Sequence, residues 1–105
     1  MEVTGCSAAE PYALRVLGDL MEPEFEHGCI IVVDPEGVVR DGSFVVAYHN
    51  DEFWFRQLHI DGDRYLLKCL NHAYDEVVEI PGIDAIHGVV TQKAGKRRKD
   101  HKRYD

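Results

Sequence analysis

Long apolar runs are missing from this chain. The longest unbroken aliphatic stretch, Ile30 to Val33, is far shorter than the roughly 20 residues that cross a bilayer as a helix. The opening residues Met1-Glu2-Val3-Thr4-Gly5 place an acid where a signal peptide carries lysines, and no apolar segment follows, so a cytoplasmic protein is expected. Cysteine is scarce. Cys6, Cys29 and Cys69 are odd in number and widely spaced, which argues against the disulfide framework of small secreted domains and for reduced thiols, with Cys29 and Cys69 buried. Proline occurs only four times, and no window keeps a helical period beyond a turn or two, which excludes both a proline-rich disordered chain and a helical bundle.

Bases are rare through most of the chain. Residues 1–92 hold 17 acids against Arg15, Arg40, Arg56, Arg64 and Lys68, a balance of −12, whereas residues 93–105 hold seven bases against Asp100 and Asp105, a balance of +5. An acidic body repels nucleic acid over most of its surface. Only the basic tail escapes that repulsion, and Lys96, Arg97, Arg98, Lys99, Lys102 and Arg103 are its candidate nucleic-acid contacts; the competing reading is a solvated, disordered terminus.

What is present is 105 residues, 45% of them hydrophobic, enough for one domain that hides about two thirds of its unfolded surface. The interior reads as strands broken by turns: Tyr12 to Leu17, Cys29 to Val33, Ser43 to Tyr48, Glu52 to Ile60, Arg64 to Leu70, Glu76 to Ile80 and Ala85 to Gln92. Turn chemistry at Gly28, Asp34-Pro35-Glu36-Gly37, Arg40-Asp41-Gly42, His49-Asn50-Asp51 and Asp61-Gly62-Asp63 separates them. The continuous run Cys29 to Val33 reads as a strand buried on both faces. A single helical turn is expected at Glu22-Pro23-Glu24-Phe25. The fold class is therefore all-β, a curled antiparallel sheet with little helix. An N-terminal arm (1–11), one folded domain (12–92) and the tail (93–105) are the expected divisions. The last strand, Ile86 to Gln92, is apolar and β-branched and is expected to end the sheet, an open edge that invites a two-fold homodimer.

The segment Tyr12-Ala13-Leu14-Arg15-Val16-Leu17-Gly18-Asp19-Leu20-Met21-Glu22-Pro23 resembles the Gly-Asp-Ser-Met-x-Pro signature of the LexA, UmuD and phage-repressor family of self-cleaving Ser/Lys peptidases. His27-Gly28-Cys29-Ile30-Ile31-Val32-Val33-Asp34-Pro35, Arg40 to Ala47, Phe53-Trp54-Phe55-Arg56-Gln57-Leu58, Tyr65 to Asn71 and Ile86-His87-Gly88-Val89-Val90 are similar to its later strands in the same order. The resemblance covers residues 12–92 and implies the curled, pseudo-barrel sheet of LexA and of signal peptidase. Signal peptidase shares the local motif but needs an anchor helix for which there is no run here.

The family's chemistry uses a serine hydroxyl as nucleophile and a desolvated lysine as general base. By the resemblance those positions are Leu20 and Arg56. Leucine has no nucleophile, and a guanidinium with a pKa above about 12 cannot act as a neutral base. The resemblance thus implies a degenerate peptidase acting as a dimerising, protein-binding regulatory module in transcription repression or the SOS response. Only 19 residues precede Leu20, too few for the family's cleavable arm or its helix-turn-helix, so neither is expected in this chain.

For the pair itself, one reading has leucine filling the old cleft and arginine pairing with Asp19 or Glu52. The other keeps a cleft that captures an extended peptide, with Asp19, Met21, Pro23 and Phe55 as groove candidates. Two rival functions stay open: an active peptidase captured as an inactive variant, and a nucleic-acid-contacting accessory protein. A relocated dyad would have to draw on Ser7, Ser43 and Lys68. Cys69-x-x-His72 and His27-x-Cys29 do not match structural zinc spacing, and neither a metal nor another cofactor is expected. The aromatics Tyr48, Phe53, Trp54, Phe55 and Tyr65 could mimic a stacking platform for bases, but alternation between core and interface accounts for them better.

Overall fold

A computed structural model describes residues 10–95 and 101–104. Eight strands form one antiparallel sheet: β1 (Tyr12–Arg15), β2 (Ile30–Asp34), β3 (Phe44–His49), β4 (Glu52–Asp61), β5 (Arg64–Lys68), β6 (Val77–Ile80), β7 (Ile86–Ala94) and β8 (Lys102–Arg103). Their order is β1-β2-β7-β3-β4-β5-β6, with β8 paired to β7. The meander β3-β4-β5-β6 follows from short turns. The β3–β4 hairpin turns through Asn50 and Asp51, both at positive φ (53° and 65°), the geometry that matches strand twist and that Asn and Asp tolerate. The only helical segment among the described residues is a 3-10 turn, Ile83–Ala85. At Glu22–Phe25 the expected helix is a turn closed by the Phe25 N–H on the Met21 carbonyl at 2.9 Å, with a cis Glu22–Pro23 bond.

The sheet curls around two apolar clusters. Val16, Met21, Phe25, Cys29, Ile31, Val33, Val46 and Val90 form the first, and Val45, Ala47, Leu58, Leu67, Ile80 and Val89 the second. Neighbours along β3 and β7 go to different clusters, Val45 and Val46 on one strand and Val89 and Val90 on the other, because side chains alternate across a strand. These central strands, not β2, are the ones buried on both faces. In β2 only Ile31 and Val33 are buried while Ile30 and Val32 are half-covered. Close approach fixes β7 against β2: a Cβ on Gly88 would lie 2.5 Å from Val33 Cγ1 and 3.1 Å from the Asp34 carbonyl oxygen.

Three expectations need correction. The last long strand does not end the sheet: β7 lies between β2 and β3, its backbone pairing on both sides, so the open-edge argument for a dimer does not apply to it. The terminal strands are β1 and β6. The fold also does not stop at residue 92. β7 runs on to Ala94, and Lys102 and Arg103 add β8 opposite Lys93 and Gln92. The Tyr104 N–H donates to the Thr91 carbonyl at 2.8 Å, and its ring packs 5.5 Å from Phe25 and 5.3 Å from Phe44. This aromatic anchor outweighs the tendency of the surrounding charges to stay in water. Finally, Cys29 is buried but Cys69 only half-buried; both are free thiols.

Candidate functional site

The segment after β1 is held from three directions. Val16 and Gly28 extend the pairing beyond the strand, Val16 N–H to the Cys29 carbonyl at 2.8 Å and Gly28 N–H to the Val16 carbonyl at 2.7 Å. Gly18 then turns at φ +87°, a left-handed conformation that favours glycine, and donates its N–H to His27 Nδ1 at 2.8 Å. Met21, 2% exposed, anchors the turn in the first core cluster. Asn71 clasps the far side: its backbone N–H donates to the Leu20 carbonyl at 3.0 Å and its Nδ2 to the Asp19 carbonyl at 2.9 Å. Tyr74 donates its hydroxyl to Asp19 Oδ1 at 2.8 Å, and that bond to a carboxylate holds the phenol above its ordinary pKa. Leu20 is thus presented on a fixed loop.

Arg56 comes from β4, opposite Val45 in the register. Its side chain is only 12% exposed. Nη1 donates to the Phe55 carbonyl at 2.8 Å, and Nη2 meets Glu76 Oε1 at 3.1 Å. The guanidinium also lies 5.3 Å from the Trp54 ring centre, close enough for a cation–π contact. Its Nε is buried without a hydrogen-bond partner among the described residues. The expected pairing with Asp19 or Glu52 is therefore replaced by Glu76: Asp19 is occupied by Tyr74, and Glu52 opposes His49 at the start of β4. Burial pushes the nearby Cys69 thiol up in pKa, and the Arg56 charge only partly offsets it, so this sulfur stays a thiol.

Leu20 and Arg56 line one groove of about 310 Å³. Of the groove candidates, Met21 and Phe55 line it. Asp19 and Pro23 do not; Pro23 faces a separate cavity beside Glu24 and Lys93. The groove also takes in Leu14, Arg15, Leu17 and Phe53, which the sequence reading did not assign to it. Leu17 is 75% and Phe53 66% exposed, so this is an apolar surface open to a partner. A visible signal was the pair of large apolar residues flanking strand ends, but only the curl of the sheet brings them together. Of the other aromatics, Trp54 and Tyr65 pack on the second core cluster, while Tyr48 stacks edge-on against Phe53 at 4.8 Å.

Residues 3–91 match the Peptidase S24-like family. The chain belongs to the Peptidase S24-like family. It is 45% identical over 98 residues to an HTH-type transcriptional regulator for conjugative element SXT from Vibrio cholerae, covering 87% of this chain and 45% of the relative. It is 39% identical over 90 residues to prophage repressor CohE of Escherichia coli (strain K12), covering 83% and 40%. Repressor protein C2 of Salmonella phage P22 is 39% identical over 92 residues, covering 86% and 38%. The chain thus spans less than half the length of these relatives. The curled all-β sheet is the S24-like architecture that the motif order implied.

The remaining candidates lie elsewhere. Ser43 Oγ accepts the Arg40 N–H at 3.0 Å, and Lys68 sits on β5 opposite Gln57; neither lines the groove. Lys102 Nζ is 3.0 Å from Glu24 Oε2, and Arg103 pairs with Gln92 in the register. Lys96, Arg97, Arg98, Lys99 and Ser7 fall outside the described residues. No helix of the described residues is long and apolar enough to cross a membrane.

Proposed function

We propose that this S24-like chain is a catalytically silent regulatory module of the transcriptional-repressor type, whose groove captures an extended segment of a protein partner without cutting it. The observation that carries the reading is the sharing of one groove by Leu20 and Arg56, the residues that the resemblance sets at the family's serine and lysine positions. A hydrocarbon side chain and a permanently charged guanidinium supply neither nucleophile nor base, yet they leave an open apolar wall. Capture of an extended segment needs a strand edge and a pocket, and both survive loss of the dyad. The relatives named as transcriptional regulators and repressors support a setting in transcription repression; a role in the SOS response is part of the proposal and rests on the resemblance alone.

Self-association into a homodimer belongs to this reading, with β1 and β6 as the edges open to it rather than β7. Direct nucleic-acid contact through the tail is the weaker alternative, since the Lys102 ammonium is already engaged by Glu24. The test is incubation with a panel of extended peptides, followed by mass spectrometry and by binding measurements. Intact peptides that bind, with binding weakened by Leu20→Asp, are expected. Cleavage by the unmodified chain would overturn the silent assignment, and an absence of any binding would overturn peptide capture.

A further inference from the structure

Two of the five bases in residues 1–92, Arg15 and Arg56, line the same groove, and no acidic residue lines it among the described residues. On a body carrying −12 over those residues, this is a local reversal of sign. We propose that the groove selects extended apolar segments that carry an acidic side chain, with Arg15 as the residue that recognises the carboxylate. The inference rests on the peptide-capture reading above and adds the chemistry of the partner.

The two arginines have different roles. Arg56 is committed to the Phe55 carbonyl, Glu76 and the Trp54 ring, so it forms part of the wall. Arg15 lies exposed on β1 and makes no ion pair or side-chain hydrogen bond with a described residue. Its guanidinium fork is free to meet a carboxylate in a bidentate pair. Leu14 and Arg15 are consecutive on a strand, so their side chains leave opposite faces, and a groove lined by both reaches round the strand's edge. Among the described residues β1 is hydrogen-bonded to β2 alone, which leaves that edge able to accept an added strand. A strand docked there would set apolar side chains against Leu14, Leu17, Leu20 and Phe53 and a carboxylate against Arg15. General repulsion between an acidic peptide and an acidic body opposes this at long range, so the preference shows in matched peptides rather than in overall association rate.

The probe is a set of acetylated heptapeptides, Thr-Val-Phe-X-Val-Leu-Thr and its position variants, in which X is Glu, Gln or Lys and is moved through each interior site. Isothermal titration on the full chain is expected to show, at one position of X, the Glu peptide binding about three- to tenfold more tightly than the Gln peptide, with Lys weakest. Arg15→Gln should bring the Glu-to-Gln ratio close to one, and Arg15→Glu should invert the order so that Lys binds best. Glu and Gln peptides of equal affinity at every position, or a Glu preference that survives in Arg15→Gln, would overturn the acidic selectivity while leaving peptide capture intact. Failure of all three peptides to bind at every position would overturn capture itself, and the selectivity with it.

Discussion

Tyr104 donates its hydroxyl to the Glu24 carboxylate across 80 residues of chain, and that same oxygen meets Lys102 at 3.0 Å and Lys93 at 3.4 Å. One carboxylate thus gathers the end of the chain onto the turn beside the Leu20 loop. The Lys93 ammonium also donates to the Glu24 carbonyl at 2.6 Å. The Phe25 ring carries the contact inward, 5.0 Å from Phe55 on the groove wall.

This clasp is expected to open at both ends of the pH scale. Burial alone would raise the Glu24 pKa, but the bonds from Tyr104 and Lys102 and the charge of Lys93 outweigh it and hold the carboxyl below its ordinary value. Its contribution is therefore complete above the unfolded pKa of about 4.3 and is lost as pH falls through the lower folded value. Burial and the same bond to Glu24 raise Tyr104, so its contribution is complete below about pH 10 and is lost as pH rises further. Amide protection at Thr91 and Lys93, taken relative to the intrinsic exchange rate at each pH, should fall in acid and in strong alkali and hold between. Tyr104→Phe should cost about 1.5–3 kcal/mol, the range for a bond to a charged partner, and should remove the alkaline limb. Unchanged protection on either side of the plateau would refute the clasp.

Asn71 holds the loop that presents Leu20 by its backbone and its side chain. Asn71→Ala keeps the backbone bond to Leu20 but loses Nδ2 to the Asp19 carbonyl and Oδ1 from the Ala73 N–H, at 2.9 Å each. A loss of about 1–2 kcal/mol in chemical unfolding is expected. Faster amide exchange confined to residues 18–22 and 71–74 should accompany it. A variant with wild-type stability and exchange would show that Asn71 does not fix the loop.

The positions of β1 to β7 were legible in the sequence to within two residues, because apolar runs bounded by Gly, Asp and Asn turn pairs define them locally; β8 was not. Strand neighbours were not. Nothing in Ile86 to Gln92 distinguishes a terminal strand from a central one, since β-branched apolar residues suit both; the small Gly88 was the one sign of close packing on a neighbour. The Leu20 and Arg56 positions came from motif order, whereas Arg15, Leu17 and Phe53 were invisible as a group, because an exposed leucine or arginine has no local signature of the surface it joins. Glu76 was overlooked for a similar reason: its meeting with Arg56 depends on how β4, β5 and β6 stack. The contacts of Lys102 and Tyr104 were not legible because a composition count averages over the one aromatic residue among the charges.

The same close packing gives a direct stability test. In Gly88→Ala the new methyl would lie 2.5 Å from Val33 Cγ1 and 3.1 Å from the Asp34 carbonyl oxygen, so the buried Val33 side chain or the β2–β7 spacing has to shift. Overpacking of this kind costs about 1–3 kcal/mol. Urea unfolding should show a lower midpoint at unchanged slope. An unchanged midpoint would mean that the β2–β7 contact has room that the structure does not show.

On the proposed assignment of Leu20 and Arg56 to the dyad positions, a base that works well at neutral pH should take three substitutions rather than two. In Leu20→Ser with Arg56→Lys, the new hydroxyl and amine would share the groove, but Glu76, 3.1 Å from the present guanidinium, would remain opposite the lysine. A facing carboxylate stabilises the ammonium and raises its pKa, the reverse of what a general base needs near neutral pH. Adding Glu76→Gln removes that charge and lets desolvation lower the lysine. A change of one pKa unit alters the neutral fraction about tenfold at a pH below both values. The triple variant is therefore expected to cleave peptides at neutral pH about tenfold faster than the double, with its rate rising at a lower pH; the two should converge in alkali. Equal rates and identical pH profiles would show that Glu76 does not control the base position. Inertness of both variants across the pH range would show that the groove no longer aligns a scissile bond, whatever residues stand at 20 and 56.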